Sequence, residues 1–458
     1  MNVNVIPNSI EARDARFQMH SYTNARALQE QGPVVMDRGE GIHVFDVHGK
    51  KYIEAMAGLW SVGVGFSEQR LVDAATRQMQ KLPYYHTFAM RSHTPAAELA
   101  EKLVGLAPVP MSKAFFTNSG SEANDTVVKM IWYRANAMGQ PQKKKIISRI
   151  KGYHGVTVAS ASMTGLPYNH MSFDLPIAGF LHTGSPHFWR EAQEGETEEA
   201  FSARRAAELE EMILAEGPDT IAAFIGEPVM GAGGVVVPPK GYWSEIQKVL
   251  KKYDILLIAD EVICGFGRTG NMWGSQTMGM EPDIMTMSKQ LSSSYLPISA
   301  ILVNERVFEP LADESNRIGT FGHGFTGGGH PVAAAVALEN LAIIEERDLV
   351  GNVQEVGPHM QARLDALKDH PLVGEKRGVG LIAALELVTD KAAKTALDKP
   401  GALGAQAGAA LFEAGVISRN MGDAIAFCPP MIIDRAQIDE LMDKVGVALD
   451  SVAAELGL

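Results

Sequence analysis

At 458 residues the chain can bury a large core and is expected to divide into two domains. Its hydrophobic content of 46% and charged content of 21% are ordinary for a globular protein, and a net charge of −13 argues against nucleic acid or an anionic membrane surface as a partner. No apolar run approaches the roughly 18 residues of a membrane span, residues 1–20 lack the apolar core of a leader, and two cysteines, Cys264 and Cys428, are too few for a disulfide framework, so a reducing cytoplasm is expected.

Residues 1–8 read as a loose terminus. From Ser9 to Gln29 charged and apolar residues recur at helical spacing, Tyr22 among them, until Gly32-Pro33 stops the pattern. Ile42 to Val47 alternates like a strand, turns at His48-Gly49-Lys50 and pairs with Lys51 to Ile53. The glycine-punctuated stretch Gly58 to Gly65 carries one large ring, Trp60, either a core residue or a pocket wall. Val72 to Leu82 is helical. Tyr84 to Phe88 is an aromatic cluster, read as core or interface packing. Thr94 to Leu106 is a helix with Thr94 as N-cap and Pro95 first.

Lys113 to Phe116 is a short strand, and Thr117 to Asn124 a polar turn opening a helix that runs through Tyr133. A helix start behind Ser119-Gly120-Ser121 is either a simple cap or a phosphate site, since free N–H groups and the helix dipole point there. Lys143 to Lys145 reads as a solvated turn before the strand Ile146 to Ser148. Gly152-Tyr153-His154-Gly155 follows, then a polar surface insertion over 183–200 and a helix from Ser202 to Ala215. Ile221 to Gly226 is a continuous apolar run ending at Glu227. The loop Gly231-Ala232-Gly233-Gly234 holds nothing larger than a methyl group. Pro239 to Tyr253 is a helix.

Ile255 to Ala259 is a second apolar run, as in a strand buried on both faces, and ends in Asp260-Glu261. Ile284 to Met287 is a third, ending in Ser288-Lys289. Cys264, just downstream of Asp260, reads as a small buried hydrophobe. Ser299 to Val303 is a strand, Phe321 to Pro331 a second glycine-rich loop, and Val332 to Glu346 a long helix. Beyond about residue 330 come a strand from Leu381 to Leu387, helices over Ala402 to Ala414 and Ala436 to Leu456, and a strand Val416 to Arg419. Strands alternating with helices argue an α/β fold with a mostly parallel sheet. No metal-ligand spacing and no complete dinucleotide fingerprint occurs.

In such sheets ligands bind beyond the carboxyl ends of the strands. A lysine there is partly desolvated, which favours its neutral, nucleophilic amine. An acid and a lysine at neighbouring strand ends suit pyridoxal phosphate (PLP), which needs an amine at its aldehyde and a carboxylate at its ring nitrogen.

Taken together, Thr117 to Asn124, Gly152 to Gly155, Asp260-Glu261 and Ser288-Lys289 resemble the class III aminotransferases of PLP fold type I, over about residues 10 to 455. Within the class the chain is most similar to the amine:pyruvate, or omega, transaminases. The resemblance implies a large PLP-binding domain over 61–328 and a smaller α+β domain formed by 1–60 and 329–458. It implies Lys289 bonded to PLP, Asp260 at the ring nitrogen, Ser119, Gly120 and Ser121 at the phosphate, Tyr153 and Val262 on opposite ring faces, and Glu227 in the surrounding network. Thr326 would reach the phosphate in a neighbouring subunit, so a homodimer with shared sites is implied. Tyr22, Trp60, Phe88, Tyr153, Ala232 and Arg419 fall to the substrate, with Arg419 meeting an acceptor carboxylate. Ornithine-type and 4-aminobutyrate-type members carry a glutamate where this chain has Ala232, which argues against those substrates. The expected reaction is ping-pong transfer from an amine or omega-amino acid to pyruvate or another small oxo acid. Beta-alanine and taurine stay open as donors, and a PLP-binding protein without catalysis is the rival from another class.

Overall fold

The computed structural model describes residues 8–458, so all but the last residue of the expected loose terminus lies outside the described residues. Among the described residues, fifteen strands form three sheets. In chain order they are β1 (Met36–Glu40), β2 (His43–Asp46), β3 (Lys51–Glu54), β4 (Lys113–Thr117), β5 (Lys145–Arg149), β6 (Phe180–Thr183), β7 (Ile221–Gly226), β8 (Leu256–Asp260), β9 (Ile284–Met287), β10 (Ser299–Val303), β11 (Val373–Val379), β12 (Ile382–Leu387), β13 (Val416–Ile417), β14 (Arg419–Met421) and β15 (Ala424–Phe427).

The central sheet has seven strands in the order β4-β10-β9-β8-β7-β5-β6. Only β10 runs antiparallel to its neighbours, so the sheet is mostly parallel, as expected. Side chains of a strand alternate between faces, and here both faces are covered. Leu256 and Ile258 pack with Ala223, Ile225, Val127 and Ile131, beneath the helix Gly120–Ala137. Leu257 and Ala259 pack on the other side with Phe224, Trp243 and Ile246, beneath the helix Tyr242–Lys252. That double burial is why these strands read as unbroken apolar runs.

One of the other two sheets joins the chain's two ends. β1, β2 and β3 are antiparallel neighbours, and β13 adds to them in parallel, Val416 opposite Ile53. An antiparallel sheet, β11-β12-β15-β14, lies beside the helices Leu349–Asp365 and Ala402–Glu413, against which the helix Arg435–Leu456 packs.

Several boundaries differ from the sequence reading. The expected helix Ser9 to Gln29 is two helices, Ile10–Phe17 and Ala25–Gln31. Asn24 starts the second by accepting hydrogen bonds from the backbone nitrogens of Arg26 and Ala27, and Tyr22 in the break is left-handed at φ +51°. Val416 to Arg419 is not one strand: β13 and β14 part at Ser418 and enter different sheets. His93, not Thr94, caps the helix Thr94–Leu106, its Nδ1 accepting from the Ala96 nitrogen at 3.3 Å. Lys143 is buried rather than solvated, because its Nζ donates to the Asp254 carbonyl at 2.9 Å. The 183–200 segment begins inside the protein, with Ser185 and His187 buried. No helix among the described residues is long and apolar enough to cross a membrane.

Candidate active site

Parallel register sets the site. β8 and β9 are neighbours with Asp260 opposite Thr286, so Lys289, just past β9, emerges beside Asp260. Ends of β4, β5 and β7 bring the Ser119–Ser121 turn, the Tyr153-His154 loop and Glu227 to the same edge. A cavity of about 220 Å³ lies there, lined among others by Ser119, Gly120, Ser121, Tyr153, Glu227, Asp260, Val262 and Lys289.

Asp260 shares its face of β8 with Leu256 and Ile258, toward the helix Gly120–Ala137. Asn124, on that helix, donates to Asp260 Oδ2 at 3.0 Å, and His154 Nδ1 lies 2.8 Å from the same oxygen. The Val262 backbone nitrogen donates to Oδ1 at 3.2 Å. Asn124 also donates to the His154 carbonyl at 2.7 Å, which locks helix, loop and acid together. Glu227 clamps two loops, Oε1 accepting from the Tyr153 nitrogen at 3.0 Å and Oε2 from the Gly231 nitrogen at 2.8 Å. Burial pushes the Glu227 carboxyl up; His154 opposes this and Asp260 adds to it.

Lys289 is the other pole. Burial pushes its ammonium down to about 8, opposed by Asp260 and reinforced by Arg419. Its backbone is left-handed at φ +46°, a conformation worth roughly 1–3 kcal/mol of strain in a residue with a side chain.

At the far end, Ser119 caps the helix, its Oγ accepting from the Glu122 nitrogen at 3.2 Å. The N–H groups of Gly120 and Ser121, in the first turn, have no partner within the helix, and both residues line the cavity. A Cβ on Gly120 would come within 3.2 Å of Val262, so the glycine keeps this cradle open. The cavity therefore has a donor-rich end, a carboxylate end and an amine between them. That donor set fits a phosphate ester of a protonated pyridine bearing an aldehyde, and the residues present suit PLP.

The other candidate residues do not line this cavity. The Tyr22 hydroxyl accepts from Asn169 Nδ2 at 2.7 Å, and its ring meets Tyr168 edge-on at a centroid distance of 6.2 Å. Burial, with Tyr22 second, pushes the Tyr153 phenol up, and Arg419 opposes that. Arg419 also acts on Tyr168 and Lys289, and it has no carboxylate partner among the described residues. Tyr168 and Asn169 were missed by sequence reasoning; they sit on the 3-10 turn Pro167–Asn169, which has no periodicity to betray it. Ala232 is buried on the loop after Glu227. Trp60, left-handed at φ +65°, is buried at 1% exposure in a cluster with Met56, Val229 and Ile263, and of these only Ile263 reaches the cavity. Phe88 and Thr326 are exposed and lie outside the cavity of their own chain.

One further cluster, His187 with Glu375 and Glu386, has ligand atoms close together. Arg377 pairs with Glu375 at 2.6 Å and Glu386 at 2.7 Å, and Arg190 takes Glu386 as well. Two guanidinium groups already neutralise these carboxylates, which makes this an ion-pair network.

Comparison with known proteins agrees with the geometry. The family described as aminotransferase class-III matches residues 25–449. A tomato (Solanum lycopersicum) protein named gamma aminobutyrate transaminase 3, chloroplastic, is 50% identical over 97% of this chain and 86% of its own. The crystal structure of an omega transaminase from Pseudomonas jessenii in complex with pyridoxamine phosphate (PMP) is 61% identical, with a TM-score of 0.97, covering 98% of this chain and 99% of that one. A structure described as a transaminase with L-alanine is 71% identical, with a TM-score of 0.92, over 92% of this chain and 100% of that one. The chain belongs to the class III aminotransferases, enzymes of PLP fold type I. It is a PLP-dependent aminotransferase.

Proposed function

We propose that the chain transfers an amino group from an amine or omega-amino acid to pyruvate, or another small oxo acid, in two half-reactions. The observation that carries this reading is Lys289, half-buried and shifted by desolvation toward its free amine, on the same small cavity as Asp260 and an open helix start. Bound there, PLP supplies an aldehyde that a primary amine can bond and a ring that takes up electron density.

The first-turn N–H groups of Gly120 and Ser121, behind the Ser119 cap, hold the phosphate. Asp260 holds a proton at the ring nitrogen, its own Oδ2 fixed by Asn124 and His154. Tyr153 and Val262, which line the cavity, would hold the ring between them, and Glu227 keeps the Tyr153 loop in register. Lys289 Nζ, a mixture of ammonium and amine near pH 8, takes the proton from the donor's Cα and returns one to the acceptor carbon in the second half. Positioned proton transfer of this kind is worth about 10²–10⁴-fold.

Arg419 meets the acceptor carboxylate through paired charge-assisted hydrogen bonds, and its lack of a carboxylate partner leaves it free to do so. It turns aside for donors without a carboxylate, and Ala232, a methyl group on the loop after Glu227, sets no acid against it. The L-alanine in a close structural relative supports pyruvate as acceptor, since alanine is its amination product. The γ-aminobutyrate name of a relative sharing half the residues keeps omega-amino acids open as donors, so Ala232 alone does not exclude them. The reading as a homodimer with shared sites is supported by the exposure of Thr326, and by that of Phe88 along a groove of about 850 Å³ walled by Phe115, Phe116 and Phe325.

The test is alanine formation from pyruvate by the PLP-loaded protein with a donor panel spanning aryl amines, beta-alanine, γ-aminobutyrate and taurine. Alanine with at least one donor, absent in Lys289→Ala, is expected. No alanine from any donor overturns the reading.

A further inference from the structure

The turn that carries Lys289 is held by one side chain from a distant helix. Lys289–Leu291 forms a single 3-10 turn. Lys289, Ser293 and Ser294 are all left-handed, at φ +46°, +47° and +56°, a conformation that persists only where neighbours enforce it. The enforcing neighbour is Asn340. It is fully buried in the helix Pro331–Glu346, among Val336, Ala337, Leu341 and Ile344. Its Nδ2 donates to the Gln290 carbonyl at 2.7 Å and the Leu291 carbonyl at 3.2 Å. Its Oδ1 accepts from Ser293 Oγ at 2.7 Å.

The grip extends one step further. Ser293 Oγ accepts from the Val64 backbone nitrogen at 3.4 Å. Gly63, beside it, lies so close to Gln290 that a Cβ would fall 1.7 Å from Gln290 Nε2. Asn340 thus ties the lysine turn to the glycine loop that also carries Trp60. A carboxamide offers two donors and an acceptor in one neutral group, which is what two carbonyls and a hydroxyl require. Leucine would fill the same space and satisfy none of them, and a buried polar group left unpaired is unfavourable.

We propose that Asn340 is a positioning residue for Lys289: it fixes the left-handed turn that delivers the ε-amine to the cavity, without lining the cavity itself. The proposal rests on the reading of Lys289 as the group bonded to PLP. The helix Pro331–Glu346 begins directly after the glycine loop that holds Thr326, so the lysine turn and that loop are braced by one rigid element.

The test compares PLP-loaded Asn340→Leu, Asn340→Asp and Ser293→Ala with the wild type. Leucine keeps volume and burial; aspartate keeps volume and an acceptor but sets a carboxylate against two carbonyls. Secondary structure and oligomeric state establish folding. Two readouts then follow, the kcat-against-KM split and the pH midpoint of the visible absorbance, which reports protonation at the Lys289 nitrogen. A loss of kcat of about tenfold or more is expected in the Asn340 variants with KM for pyruvate nearly unchanged. The absorbance midpoint should move by more than about half a pH unit, and Ser293→Ala should shift both readouts the same way by less. A folded Asn340 variant with the wild-type midpoint and kcat overturns the proposal. If neither Asn340 variant folds, wild-type values in Ser293→Ala overturn it. Borohydride reduction and peptide mapping of the wild-type enzyme decide the underlying reading separately: a label on any residue but Lys289 defeats that reading whatever the variants do.

Discussion

Replacing Lys289 by methionine should abolish transamination and stabilise the cofactor-free protein at neutral pH. In the unfolded chain the ammonium has its ordinary value of 10.5, whereas burial in the fold lowers it to about 8. Below pH 8 both states hold the proton, and the fold carries the full cost of a buried charge. Between pH 8 and 10.5 the unfolded chain binds more protons than the folded one, so wild-type stability climbs with pH. Above 10.5 the cost is gone. At roughly 1.4 kcal/mol per pH unit, the gap from 10.5 to 8 amounts to about 3 kcal/mol, of which about 2.5 kcal/mol is recovered between pH 7 and pH 10. Methionine has similar length and no titration, so the difference between the two proteins isolates the lysine. Urea denaturation of both cofactor-free proteins, followed by tryptophan fluorescence at pH 7 and pH 10, measures it. The advantage of Lys289→Met should shrink by about 2.5 kcal/mol across that interval. An advantage that stays constant with pH refutes the picture of a desolvated ammonium and removes the physical basis for a free amine near neutrality.

Arg419→Ala should lower kcat/KM for pyruvate by about 10²-fold, since charge-assisted hydrogen bonds contribute about 1.5–3 kcal/mol each. The half-reaction of a donor without a carboxylate should change less than about threefold by single-turnover absorbance; equal losses in both halves would assign Arg419 a structural role. Asp260→Ala removes one of the two acceptors of the Asn124 amide and the carboxylate partner of His154 Nδ1, and kcat should fall at least about 10²-fold, with activity near wild type counting against Asp260. Gly63→Ala forces a methyl group against Gln290, so urea unfolding should show a loss of about 1–3 kcal/mol; unchanged stability would mean the Gln290 side chain has room to leave.

The parts of the site that could be read from the sequence are those fixed by local rules. Glu227 and Asp260 each follow an unbroken run of apolar residues and Lys289 a run interrupted only by Thr286 and Ser288, because a strand buried on both faces keeps few polar positions. Ser119 is visible because a capping serine must precede its helix. What stayed hidden depends on contacts between distant segments. Nothing near Tyr22 signals Asn169, 147 residues away, and nothing near Val416 signals that β13 completes the sheet begun by β3. Lys143 looked solvated because three lysines in a row usually are; a backbone carbonyl at Asp254 made burial tolerable. Asn340 is the sharpest case. In sequence it is one polar residue in an apolar helix, and only the fold reveals that its three hydrogen bonds end on the turn after Lys289.

That division has a physical origin. The groups that react are placed by strand ends, which the sequence announces. The same groups are unfavourable where they stand, because Lys289 is desolvated on a left-handed backbone and Glu227 is buried with its carboxyl pushed up. They persist because groups from other elements offset the cost: the Asn124 and His154 side chains for Asp260, the Tyr153 and Gly231 backbone nitrogens for Glu227, the Asn340 side chain for the lysine turn. Substitutions of those supports should therefore weaken catalysis without altering which atoms meet the substrate.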